Sequence, residues 1–119
     1  MFHQKTVDFE IAFFEPLVKN NPNYVDALIP LAEAYTKKGW YEKGLRIDKR
    51  LARLCKTDPI VHYNLACSYA LTSKKKEAIM ALSRAVKLGY SDFDYLRKDS
   101  DLKILHGDPR LKKLISSTK

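Results

Sequence analysis

The chain has 119 residues, 45% of them apolar, and a formal net charge of +8 at neutral pH. This is enough for one domain with a real core, which excludes a disordered tail, and no apolar run is long enough to span a bilayer. The charge is uneven: residues 1–60 carry 10 basic against 8 acidic groups, and residues 61–119 carry 12 against 6. That balance favours acidic partners without assigning nucleic-acid binding.

The start, Met1-Phe2-His3-Gln4-Lys5, lacks a basic region leading into an apolar stretch, so a secretion signal is not expected and the cytoplasm is the default compartment. Cys55 and Cys67 belong to no CxxC pair and have no ligand histidine beside them, so two buried, reduced thiols are expected.

Residues 6–20 read as a first helix, capped by Thr6 or Asp8, with Phe9, Ile11, Phe13, Phe14, Leu17 and Val18 apolar and Pro16 a kink point. Asn20-Asn21-Pro22-Asn23 breaks the chain. A second helix, 24–38, carries Ala27, Leu28, Leu31, Ala32 and Tyr35, with Pro30 in its interior and Gly39 as a left-handed cap. A third, 41–56, turns Leu45, Leu51 and Leu54 inward.

Asp58-Pro59 starts the fourth helix, 59–72, with an N-cap and a proline at the first helical position. Val61, His62, Leu65, Ala66 and Tyr69 share one of its faces. Ser73-Lys74-Lys75 turns the chain into helix 76–88, which Gly89 ends. A helix over 91–98, an irregular turn from Asp99 to His106 and a final helix over 109–116 complete an all-α chain, since strand alternation never persists.

A shift of 34 residues lays the chain on itself: Leu31 on Leu65, Ala32 on Ala66, Tyr35 on Tyr69, Gly44 on Ala78, Asp58 on Asp92. Two units, 25–58 and 59–92, follow without a gap, flanked by an N-terminal helix (1–24) and C-terminal capping helices (93–119) in a single domain. That period marks a stacked array of helical hairpins. Ala32 with Gly44, and Ala66 with Ala78, are the expected close crossings of each hairpin.

The second unit reads His62-x2-Leu65-Ala66-x2-Tyr69, Ala78-x3-Leu82, Ala85; the first reads Leu28-x2-Leu31-Ala32-x2-Tyr35, Gly44, Leu51. These motifs resemble the tetratricopeptide repeat (TPR), in its small bacterial type, strictly over 25–92. Asp48 departs from the pattern, standing where the family has an apolar residue. The resemblance implies a right-handed superhelical stack of antiparallel helix pairs acting as a non-catalytic scaffold or adaptor. Its first helices would line a concave groove that holds a peptide or protein, with partner-binding residues Ile29, Glu33, Tyr63, Asn64, Cys67, Leu71 and Arg97. Some TPR domains clamp a carboxylate with lysine and asparagine; Asn64 matches one element, whereas Ile29 and Glu33 replace the others.

Lys43, Arg46, Arg50 and Arg53 share one helical face, which reads as a solvated surface or as a site for phosphate or an acidic protein. His3, His62 and His106 have no ligand or catalytic spacing, and no glycine-rich phosphate loop or nucleophile elbow occurs, so neither enzyme nor cofactor is expected. Two other readings are a self-assembling protein, with Phe2, Trp40 and Tyr90 as exposed aromatics and another copy filling the groove, and a basic nucleic-acid-associated protein.

Overall fold

A computed structural model describes residues 2–117, with side chains from residue 5. The elements are all helical: α1 (Phe2–Asn20), α2 (Val25–Lys38), α3 (Tyr41–Leu54), α4 (Pro59–Leu71), α5 (Lys75–Lys87), α6 (Phe93–Lys98), a 3-10 segment (Ser100–Leu105) and α7 (Pro109–Ser116). The chain divides into two compact units, Met1–Lys56 and Thr57–Lys119. Among the described residues there is no strand, and no helix is long and apolar enough to cross a membrane.

In the first unit α1 and α3 both pack on α2. Helix α1 begins at Phe2 rather than near Thr6, because nothing in His3-Gln4-Lys5 opposes a helix. Pro16 is accommodated within it. Val7, Ile11 and Val18 form its buried stripe. Phe9 and Phe13, expected on an apolar face, lie to the side of that stripe and stay 69% and 54% exposed. Gly39 closes α2 at φ 85°, a left-handed turn that an L side chain adopts only under strain.

Gly44 meets α2 where the sequence places it. A Cβ added there would lie 3.1 Å from Thr36 Oγ1 and 3.7 Å from the Ala32 carbonyl oxygen. A methyl group there would require the Thr36 side chain to give by a few tenths of an ångström, so the position favours the smallest residues. Asp48 lies on the inward face of α3 and is 5% exposed. Leu54, expected inward, sits in the last turn of α3 and remains 40% exposed.

In the second unit α4 pairs with α5 and also carries the 3-10 segment, while α7 packs on α5. Ala66 and Ala78, the expected crossing pair, are both fully buried. Asp58 caps α4: its Oδ1 accepts from the Ile60 backbone N–H at 2.9 Å, with Pro59 at the first helical position. Asp92, Asp99 and Asp108 repeat the device at α6, the 3-10 segment and α7. Leu82, Leu96, Leu102 and Leu105 fill the core of this unit, all fully buried.

Candidate functional site

The seven residues that the repeat pattern marks for partner binding have different surroundings. Ile29 (40% exposed) and Glu33 stand four residues apart on the outer face of α2. Asn64 is exposed on α4 and Leu71 half-buried at its end. Arg97 is exposed on α6, its Nη1 3.2 Å from Asp94 Oδ1. Tyr63 and Cys67 are 4% and 7% exposed, turned into the interior rather than open to a partner.

The cover over Tyr63 and Cys67 comes from the chain itself. The Tyr63 hydroxyl donates to Asp99 Oδ2 at 2.6 Å, and Cys67 Sγ donates to the same oxygen at 3.7 Å. Asp99 Oδ1 accepts from the Asp101 backbone N–H at 3.0 Å. The Tyr63 ring stacks on Tyr90, with centroids 4.4 Å apart and planes at 13°. Tyr90, expected as an exposed aromatic, is therefore buried, while Trp40 stays 41% exposed and the side chain of Phe2 lies outside the described residues.

Burial, then the bond to Asp99, pushes the Tyr63 hydroxyl far above the ordinary tyrosine pKa. Burial and the neighbouring Asp99 raise the Asp101 carboxyl. Cys67, Asp99 and Asp101 offer ligand atoms within 4.8 Å of one another, a spacing that metal ligands also show. Here Asp99 accepts from the phenol, the thiol and a backbone N–H, so the group forms a polar clasp joining α4 to the 3-10 segment. Both cysteines are free thiols, but only Cys67 is buried; Cys55, expected buried as well, is half-buried at the end of α3.

The first unit contains a feature that the repeat pattern does not mark. Between α1 and α3, over α2, lies an open cleft of about 620 Å³. Its floor is Val18, Leu31 and Ile47. Leu31 and Tyr35 point away from Ile29 and Glu33, so the cleft opens on the opposite side of α2 from the expected groove. Tyr35 donates its hydroxyl to Glu15, and burial followed by that bond raises its pKa well above the ordinary value. Lys19 and Arg50 stand at the edge, with Arg50 Nη1 3.2 Å from the Pro22 carbonyl oxygen.

Of the basic stripe of α3, Arg50 lines this cleft, and Lys43 and Arg46 lie near its Tyr35. Lys43 Nζ is 5.4 Å from the Tyr35 ring centroid and 4.8 Å from that of Trp40. Arg46 is exposed and close enough for its charge to act on Tyr35. The helical spacing of the stripe was visible in the sequence; its place beside an apolar hollow was not.

No protein-family model matches the chain. It is similar to a chloroplastic protein of Arabidopsis thaliana, 32% identical over a 93-residue alignment that covers 70% of this chain. The match spans only 27% of that protein's length.

Proposed function

We propose that the chain is a TPR-like, non-catalytic interaction module that holds a segment of another protein. The observation that carries this reading is the repeated hairpin with small residues at both crossings. Gly44 sits against Ala32 and Thr36, and Ala66 and Ala78 are completely buried. Such hairpins form a firm frame whose outer surface is free to vary, and here that surface keeps Ile29 exposed beside Glu33. The buried hydroxyl, thiol and carboxylates are accounted for by packing and caps rather than by a reacting constellation. The superhelical stack belongs to the same proposal. So does a cytoplasmic location, which the two free thiols suit.

Selection of a random displayed peptide library on the folded full chain tests the reading. Enrichment of peptides that bind the native chain but not the heat-denatured one is expected, with weaker capture by Ile29→Arg where the α2 face takes part. No enrichment over the denatured control refutes it.

The α1 surface favours a second reading, self-association. Phe9 and Phe13 stack at 6.2 Å and Leu17 continues their row, all three exposed. Sedimentation velocity of wild type and Phe9→Ser plus Phe13→Ser decides it: a dimer lost in the variant supports it, and a monomer at every concentration rejects it.

A further inference from the structure

We propose that the cleft between α1 and α3 is a docking site for an acidic peptide segment carrying one bulky apolar side chain. The proposal rests on reading the chain as a binding module and adds the site and the chemistry of the partner. Its volume, about 620 Å³, lies within the range of formed ligand sites. The floor, Leu31, Val18 and Ile47, offers only carbon and suits a single aromatic or branched side chain.

The edge is cationic. Lys19 and Arg50 line it, and Arg46 and Lys43 extend it along α3 past Tyr35. Among the described residues neither Arg46 nor Arg50 pairs with a carboxylate. Among the residues described as lining the hollow, Glu15 is the one acid, and its oxygen already takes the Tyr35 hydroxyl. Lys19, Arg46 and Arg50 outnumber the single Glu15 carboxylate, so an arriving carboxylate meets a net positive field. Arg50, with one donor given to the Pro22 carbonyl, keeps others to direct at a ligand.

The same geometry disfavours a nucleic acid. Sequence-tolerant binding of single strands uses open aromatic faces on which bases stack. Here Lys43 lies over both Tyr35 and Trp40, Lys38 also lies over Trp40, and the Tyr35 side chain is tied down by Glu15. What remains is an open apolar hollow with cations at its edge, which matches a short polypeptide better than a polyanion with stacked bases.

Fluorescence anisotropy on the full chain tests this, with a fluorescein-labelled Glu-Asp-Glu-Phe-Asp-Glu-Asp peptide as the probe. Saturable binding is expected, weakened at least about tenfold when Phe becomes Ser or when the acids become Lys. Two variants locate the site: Ala12→Trp, which fills the hollow from the exposed side of α1, and Arg46→Glu plus Arg50→Glu, which reverses its edge. Each should weaken binding at least about tenfold while keeping the wild-type helical signal and melting profile. Arg46→Glu alone, which leaves the Pro22 contact intact, replaces the pair should the double variant unfold. Wild-type affinity in the folded variants overturns the proposal. So does tighter binding of polyuridylate than of the peptide, or no binding of the acidic probe. In that last case, display-selected binders unaffected by Ala12→Trp leave the module reading standing, whereas an absence of any selected binder removes both.

Discussion

Tyr63→Phe removes one oxygen and nothing else. In the structure that oxygen is 2.6 Å from Asp99 Oδ2, in a residue 4% exposed, bonded to an acid 9% exposed. A hydrogen bond to a carboxylate contributes about 1.5–3 kcal/mol, and the carboxylate left behind stays buried with only the long thiol contact at that oxygen. The ring keeps its stack on Tyr90, so little packing is lost. A loss of about 2 kcal/mol in unfolding free energy follows, read as a lower urea midpoint at unchanged slope. The same bond has a signature in alkali. Because the folded-state pKa of Tyr63 is raised, its stabilisation is complete below the unfolded value of 10.0 and is lost as the pH climbs above it. Tyr63→Phe should therefore blunt alkaline unfolding as well as lower stability at neutral pH. Were Tyr63 an exposed groove residue, the substitution would fall within about 0.5 kcal/mol of wild type, and that result would refute the clasp.

Other predictions rest on separate features. Ala66→Leu overpacks the fully buried crossing with α5 and should cost roughly 1–3 kcal/mol, measured by thermal melting; an unchanged melt rules out that crossing. The Arg110 side chain, then its backbone N–H, holds the Asp108 pKa down to about 2. Asp108 thus contributes to stability above its unfolded value of 3.8, and the contribution fades as the pH falls towards 2. Arg110→Ala should move its NMR titration upward, towards the unfolded value. An aromatic disulfide reagent should modify Cys55, which is half-buried, well before Cys67, which is 7% exposed; equal rates in the native state would contradict the burial of Cys67.

The helices were legible in the sequence because their signals are local. Asp58-Pro59 and Gly39 mark a start and a stop by backbone chemistry alone, and both lie where expected. Gly44 was legible because the 34-residue period lays it on Ala78, small on small, and the repeat resemblance sets both at a hairpin crossing; the close approach to Ala32 and Thr36 agrees with that. Tyr63 and Cys67 were not legible as interior residues. Their cover depends on Asp99, which is 36 and 32 residues away and whose visible signal was only that of a helix cap. One carboxylate performs both tasks, capping with Oδ1 and accepting from Tyr63 with Oδ2. The cleft was hidden for a similar reason. Leu31 and Tyr35 read only as apolar positions of the second helix, and nothing periodic says that α1 and α3 leave space above them. Phe9 and Phe13 show the converse, large apolar side chains that a composition-based face counts as buried and the helix turns outward.

The central claim is that this chain binds a polypeptide segment through its folded surface, at the hollow of its first unit. Titration of isotope-labelled chain with the acidic phenylalanine peptide, followed by amide chemical shifts, measures it directly. The account predicts progressive shifts concentrated on Leu31, Tyr35, Ile47 and Arg50, with the Tyr63–Asp99 clasp undisturbed. Shifts absent from those four residues, or centred on the clasp, would contradict it.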